Sequence, residues 1–285
     1  MKLHVLNTGY FKLDGGAMFG VVPKSLWSRT NPPDQNNMCS WALRSLLIED
    51  GKRLILIDTG MGEKQSDKFF SYYHPHGEDA LDKNLKKLGY SRNDITDVFL
   101  THLHFDHCGG AVEWNKQRNG YRPAFKNARY WSTKNHWEWA VNPNEREKAS
   151  FLKENILPIQ ESGQLHFIQQ SEDYAKNVFP NFDVLFVDGH TESMMIPHIR
   201  YKGKTLVFMA DLLPSAGHIP VPYVMGYDVR PLITMKEKGR FLEKAQREDY
   251  ILFFEHDSIN ECCTLKETEK GIRLDNAFDF NSLFS

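Results

Sequence analysis

Long apolar segments are missing from this 285-residue sequence. No run approaches the roughly 18 apolar residues that a transmembrane helix needs, and residues 1–7 contain too many polar side chains for a signal peptide. A strong charge of either sign is also missing, because 35 basic residues oppose 37 acidic ones and leave a net charge of −2. We therefore expect a cytoplasmic protein that binds no membrane, and no nucleic acid through a global positive field.

Cysteine is scarce as well. The chain has four, Cys39, Cys108, Cys262 and Cys263. They form no CxxC pair, and their density is too low for the disulfide framework of a small secreted protein. We expect free thiols in a reducing compartment, and we expect Cys108, which follows a histidine-rich motif, to be buried and inert.

The most informative segment is that motif, residues 101–110 with the sequence THLHFDHCGG. Its metal-capable side chains are His102, His104, Asp106 and His107, and imidazole and carboxylate groups suit zinc, iron and manganese. At an extended strand end the first two point the same way, whereas the last two follow a turn and must point elsewhere. We therefore predict two neighbouring metal ions, about 3.5–4 Å apart, with a shared water between them.

Apolar runs bounded by turn residues predict strands at 2–7, 11–14, 38–48, 53–57, 95–100, 128–131, 183–187, 194–201, 204–209 and 251–255. Helical spacing predicts helices within 63–88, 132–140 and 145–155, whereas glycine and proline indicate irregular loops at 16–27 and 28–37. Several strands precede a histidine or an aspartate, and active sites of layered α/β proteins usually lie at such ends. The pattern predicts an α/β (α+β) fold in a single domain spanning residues 1–285.

The motif and four other segments resemble the metallo-β-lactamase superfamily of hydrolases. The other segments are Leu56-Ile57-Asp58-Thr59-Gly60 upstream, then Gly189-His190, Asp211 and His256 downstream, in the order that this family shows. The resemblance covers most of the chain. The stretch from Asp211 to Tyr223 is similar to the branch of lactonases and organophosphate hydrolases of the methyl parathion hydrolase kind. The implied fold is a four-layer αβ/βα sandwich, the metallo-β-lactamase fold.

The resemblance also implies a role for each of these residues. The first metal would be held by His102, His104 and His190, the second by Asp106, His107 and His256, and both by a bridging Asp211. Asp58 would accept the free N–H of a ligand histidine, although an ordinary turn aspartate would fit the same position. The expected cofactor is two divalent metal ions, zinc first, with iron, manganese and cobalt as alternatives.

The implied chemistry is hydrolysis by a bridging hydroxide, because two cations lower the pKa of a shared water from about 16 towards about 7. Asp106 could orient this hydroxide and carry its proton to the leaving group. In lactonase relatives a tyrosine after the bridging aspartate donates to the substrate carbonyl, and Tyr223 is our candidate, with Tyr227 and His218 as alternatives. We expect Phe19 to form one wall of an apolar pocket, with packing in a homodimer as the alternative.

We therefore expect a dinuclear hydrolase that cleaves a small, largely apolar lactone, carboxylic ester or organophosphate ester. An RNA-processing phosphodiesterase of the same superfamily would need a basic binding arm, which this near-neutral chain does not show. A thiolester hydrolase of the glyoxalase II kind is the other alternative. A binding module without catalysis would be favoured by missing ligands, but all seven are present.

Overall fold

The computed structural model describes residues 1–170 and 172–284. Its strands are β1 (Lys2–Asp14), β2 (Met38–Asp50), β3 (Arg53–Ile57), β4 (Asp97–Phe99), β5 (Val112–Trp114), β6 (Tyr121–Pro123), β7 (Arg129–Thr133), β8 (Leu165–Ile168), β9 (Tyr174–Phe179), β10 (Phe182–Val187), β11 (Met194–Tyr201), β12 (Lys204–Phe208), β13 (Ile251–Phe253), β14 (Cys262–Thr268) and β15 (Gly271–Phe278). The mixed α/β class that the sequence predicted is confirmed.

The helices are α1 (Gly15–Phe19), α2 (Lys24–Trp27), α3 (Asp67–Tyr73), α4 (Leu81–Lys87), α5 (Phe105–Cys108), α6 (Lys134–Val141), α7 (Lys153–Glu161), α8 (Pro231–Arg247) and α9 (Phe280–Phe284). Short 3-10 turns lie at Arg92–Asp94, Gly109–Ala111, Ala210–Leu212 and Ala216–His218. Within the described residues, no helix combines the length and the apolar character needed to cross a bilayer.

These elements divide between two compact units. The first contains Met1–Tyr10 and Leu43–Gln170, and the second contains Phe11–Ala42 and the described residues after Gln170. The strands β1 and β2 each contribute residues to both units. The single domain that the sequence suggested stays a prediction.

The first unit is built on a sheet with the strand order β1-β2-β3-β4-β7-β8. Its central strands β3 and β4 are parallel, with Ile57 paired to Phe99, and β3 is almost entirely buried, as its continuous apolar sequence predicted. Because the two strands are parallel and in register, Asp58 and Thr101 follow them at the same edge of the sheet. This edge receives the histidine motif.

The core of the first unit confirms the predicted amphipathic helix. Helix α4 buries Leu81 and Leu85, and both join an apolar cluster that includes Val98 of β4 and Ile156 of α7. Each large aliphatic side chain that is fully buried contributes about 1.5–3 kcal/mol to the free energy of unfolding. Apolar side chains of α4 and α7 therefore pack against β4, the strand that leads into the motif.

The second unit contains a sheet with the strand order β15-β14-β13-β12-β11-β10-β9. The strands β12 and β13 are its parallel pair, with Phe208 opposite Phe253. Asp211 and His256 each stand three positions after this pair, so parallel pairing brings both to the same edge of the sheet. A turn at residues 202–203 joins β11 and β12, which pair in the antiparallel sense and correspond to the strands predicted at 194–201 and 204–209.

The helix predicted at residues 145–155 is wrong. Residues 145–150 form turns, and the helix begins only at Lys153. The side chain of Asn144 accepts the backbone N–H of Arg146 and of Glu147, which stabilises a turn at the expense of a helical start. Local helical spacing does not show this competing side-chain bond.

The irregular loop predicted at residues 16–27 is wrong too, because α1 and α2 lie there. Asp14 caps α1 by accepting the N–H of Ala17 at 2.8 Å, which compensates for the two glycines that begin the helix. The two short strands predicted at 2–7 and 11–14 form one continuous strand, β1.

The four cysteines are free and buried, so the expected free thiols are confirmed. The Cys108 thiol donates to the Leu103 carbonyl at 3.2 Å, and burial raises the pKa of this thiol to about 12. A thiol with so high a pKa is protonated and unreactive at neutral pH, in agreement with the inert role expected for Cys108.

Candidate metal centre

The first unit gathers the four donors of the motif just beyond β4. His102 and His104 lie in the connection after this strand, and Asp106 and His107 lie in α5. All four side chains belong to buried residues. The His102 Nε2 atom lies 3.1 Å from His104 Nδ1, and the His107 Nε2 atom lies 3.8 Å from the Asp106 carboxylate. Such a concentration of buried nitrogen and oxygen donors is typical of a metal site.

Asp58 contacts this group from the end of β3. Its carboxylate accepts the Thr101 backbone N–H at 2.8 Å and the Thr101 hydroxyl at 2.6 Å, and it lies 3.1 Å from His107 Nδ1. A carboxylate on Nδ1 fixes the ring and leaves Nε2 to bind a metal. Asp58 also has a φ of 54°, and such strained backbone often occurs at functional sites. The contact that its predicted role requires is present.

Sequence analysis missed Glu147. This side chain is buried, and its Oε1 atom lies 3.5 Å from His104 Nε2. Its Oε2 atom accepts from Trp139 Nε1 at 2.7 Å and from the Asn144 amide at 2.6 Å, which fixes the carboxylate. One ring nitrogen of His104 therefore faces Glu147 and the other faces His102. A single acid in a charged stretch gave no local signal of this burial.

The second unit places the Asp211 carboxylate between two imidazoles. One of its oxygens lies 3.1 Å from His190 Nε2, and the other lies 3.2 Å from His256 Nε2. His256 Nδ1 donates to the Ala42 carbonyl at 2.8 Å, so in the neutral form of the ring the Nε2 lone pair would face the carboxylate. Two acceptors at this distance repel each other unless a proton or a metal cation lies between them. This donor set fits a divalent cation.

Asp228 is another residue that sequence analysis missed. It is buried, its Oδ1 atom lies 2.9 Å from His190 Nδ1, and its Oδ2 atom accepts the Met225 N–H at 3.2 Å. Burial opposes a charge on His190, but Asp211 and Asp228 outweigh it and raise the pKa of His190 to about 10. Carboxylates on both sides of this imidazole therefore favour a positive charge in the site. The 38 positions between the two residues hid the pairing.

Helix α8 supports the turn before His190. The Glu237 carboxylate accepts the backbone N–H groups of Asp188 at 2.8 Å and of Gly189 at 3.0 Å. A Cβ atom on Gly189 would lie 2.3 Å from the backbone nitrogen of Thr234, so only glycine lets the helix approach this closely. Packing against α8 thus requires the glycine of the Gly189-His190 motif.

The residues predicted to contact substrate lie together in the second unit. The Phe19 ring is completely buried and stacks on Trp27 at 5.2 Å and on His218 at 4.3 Å. The Tyr223 ring meets Phe19 edge-on at 6.5 Å, whereas Tyr227 is 38% exposed. Contact of Phe19 or Tyr223 with a substrate stays a prediction.

His218, the other alternative to Tyr223, has both ring nitrogens engaged. Nε2 donates to the Met18 carbonyl at 2.9 Å, and Nδ1 accepts from the Ser215 hydroxyl at 2.8 Å. Burial lowers the pKa of His218 to about 3, so the ring is neutral at any physiological pH. These contacts favour a structural role for His218.

Comparison with known proteins identifies relatives of the chain. The family model described as the metallo-beta-lactamase superfamily matches residues 44–256. An N-acyl homoserine lactonase of Bacillus thuringiensis is 28% identical over 273 residues, which are 91% of this chain and 94% of the relative. An N-acyl homoserine lactonase of Bacillus cereus is 27% identical over 286 residues, covering 96% of each chain.

Solved structures agree with this result. A probable metal-dependent hydrolase from Staphylococcus aureus superposes with a TM-score of 0.86 at 28% identity, covering 97% of this chain and 96% of that one. AidC, a dizinc quorum-quenching lactonase, superposes with a TM-score of 0.77 at 24% identity, covering 97% and 95%. The predicted fold class and the resemblance to the lactonase branch are confirmed. The chain is a metal-dependent hydrolase and belongs to the metallo-beta-lactamase superfamily.

Proposed function

We propose that this protein is a dinuclear metal-dependent lactonase that opens the ring of N-acyl homoserine lactones. The observation that carries the metal-dependent reaction is the Asp211 carboxylate facing the Nε2 atoms of His190 and His256, each ring being held at Nδ1. The substrate class is supported by likeness to N-acyl homoserine lactonases over nine-tenths of the chain.

The proposed ligands are the seven side chains that match the ligand pattern of the metallo-beta-lactamase superfamily. His102, His104 and His190 would hold one cation, Asp106, His107 and His256 would hold the other, and Asp211 would be shared by both. When bound, the two cations supply a hydroxide nucleophile at neutral pH and a Lewis acid for the carbonyl oxygen. Imidazole and carboxylate donors suit zinc, and the same set accepts iron, manganese or cobalt.

The remaining steps belong to side chains of the protein. Asp106 orients the attacking oxygen and carries its proton to the ring oxygen that leaves, so that the product is a hydroxy acid. The Tyr223 hydroxyl donates to the carbonyl oxygen as negative charge develops there. Phe19 forms the back of the apolar wall and fixes the Tyr223 ring through their edge contact.

The test is a substrate panel with zinc-loaded protein: an acyl homoserine lactone, an aryl ester, a paraoxon-like triester, bis-nitrophenyl phosphate and a glutathione thiolester. We expect the lactone to have the highest kcat/KM, and we expect chelation to abolish turnover and zinc to restore it. His104→Ala should be inactive, whereas His166→Ala, outside the proposed site, should retain activity. Turnover of only the phosphodiester or only the thiolester would replace this proposal with the corresponding alternative.

A further inference from the structure

Helix α8 carries a lysine in the interior of the second unit. Lys238 is only 1% exposed. Its Nζ atom donates to the backbone carbonyls of His218 at 3.0 Å, Pro220 at 3.2 Å and Tyr223 at 2.7 Å. A lysine ammonium has three N–H donors, so each of them has an acceptor here.

Core packing alone does not account for this ammonium. Burial lowers the pKa of Lys238, although Asp228 acts in the opposite direction, so the positive charge of this side chain costs free energy in the interior. An apolar side chain of similar length would fill the same space without the desolvation cost. What the ammonium adds is three hydrogen bonds to carbonyls that lie in one segment, residues 218–223, outside any regular strand.

This segment carries the residue proposed to meet the substrate. Tyr223 accepts the shortest of the three bonds, and its ring contacts Phe19 edge-on. The neighbouring Glu237 binds the backbone N–H groups of Asp188 and Gly189, just before His190. Two consecutive residues of α8 thus bind two loops. The Glu237 carboxylate accepts N–H groups of the turn before His190, and the Lys238 ammonium donates to carbonyls of residues 218–223.

We propose that Lys238 is a positioning residue for the hydrolytic reaction, which fixes the backbone of residues 218–223 and thereby the Tyr223 hydroxyl. The kinetic part of this inference rests on the proposed lactonase function, whereas the fixing of the loop does not. A hydroxyl misplaced by about 1 Å loses much of its effect on a transition state, so the loss of the three bonds reaches the chemistry through Tyr223.

The test compares Lys238→Met, which keeps the aliphatic stem and removes the donors, with Lys236→Met, an exposed lysine of the same helix. In hydrogen exchange followed by mass spectrometry, we expect the amides of residues 215–224 to exchange faster in Lys238→Met only. We expect kcat for the lactone to fall by about 10- to 100-fold with little change in KM. Lys236→Met should match the unmodified protein in both measurements.

A double-mutant cycle separates positioning from general destabilisation. If Lys238 acts through Tyr223, Lys238→Met should lower kcat much less in a Tyr223→Phe background than in the unmodified protein. Equal losses in both backgrounds would overturn the proposal, as would unchanged exchange of residues 215–224. If Lys238→Met does not fold, Lys238→Gln takes its place. This variant removes the charge and has two N–H donors in place of three, so we expect smaller changes in the same direction, judged by the same comparison with Lys236→Met.

A failure of the lactonase proposal can be distinguished from a failure of the proposal about Lys238. If the zinc-loaded protein opens no lactone, the exchange experiment still decides whether Lys238 fixes the loop, and the cycle is repeated with the substrate of the panel that is turned over. Faster exchange together with unchanged kcat for that substrate would show that the loop is held but takes no part in the reaction, and would overturn the positioning role.

Discussion

Asp228 offers a direct test of the proposed metal binding by His190. In the unmodified protein the Asp228 carboxylate lies 2.9 Å from His190 Nδ1. The substitution Asp228→Asn keeps the shape of the side chain but leaves only one neutral oxygen to face this nitrogen. It removes the negative charge that favours a cation on the other side of this imidazole. The side chain is buried, so water does not replace what is lost.

The expected magnitude follows from this contact. Removing a group that orients a ligand histidine typically weakens metal binding about 10- to 100-fold, or about 1.4–2.7 kcal/mol. A hydrogen bond to a charged acceptor is roughly twice as strong as one to a neutral acceptor, which accounts for a large part of this loss. We expect the loss at the cation proposed to bind His190, with the second proposed cation affected less.

The assay is a chelator competition for zinc with metal-free protein. Asp97→Asn is the matched control, because Asp97 is also a buried carboxylate and accepts from Trp131 Nε1 at 2.9 Å, away from the proposed ligands. The reasoning is refuted if Asp228→Asn binds both zinc ions as tightly as the unmodified protein. It is equally refuted if the control loses as much affinity.

Three further predictions concern catalysis, metal binding and pH. Tyr223→Phe should lower kcat/KM for the lactone about 100-fold in steady-state assays, with Tyr227→Phe nearly unchanged, and equal rates for Tyr223→Phe and the unmodified protein would exclude Tyr223 from the mechanism. Zinc at 100 times its Kd should raise the free energy of unfolding by about 2.7 kcal/mol per site, and a melting temperature that does not respond to zinc would contradict the metal site. Burial lowers the pKa of His198 from 6.5 to about 4. Between these two pH values the unfolded chain binds a proton at His198 and the folded protein does not, so the free energy of unfolding falls as the pH drops through this range. His198→Phe should flatten the pH dependence of urea unfolding between pH 7 and 4 by up to about 3 kcal/mol, whereas parallel curves for the two proteins would disprove this cause.

The chemistry of the candidate site was largely readable from the sequence. Residues 101–110 concentrate donors that have no use in an apolar core, and the apolar runs before His190, Asp211 and His256 showed that buried strands lead to them. Such signals can be recognised in the sequence alone because they depend on residue type and on spacing within a few positions. The zinc identity, a homodimer and a cytoplasmic location stay predictions.

Tertiary structure decided which residues support the proposed metal donors and the loop that carries Tyr223. Asp228 contacts His190 across 38 positions, Glu147 faces His104 from a stretch that local spacing assigned to a helix, and Lys238 binds a loop through backbone carbonyls. Each is a charged residue of a type that is usually solvated, so its sequence gives no sign of burial. The sequence by itself determined which side chains can bind a metal and that strands deliver them. Only the folded chain determined which distant acids contact these side chains and which buried lysine binds the Tyr223 loop, because hydrogen bonds and burial depend on neighbours in space and not on neighbours in sequence.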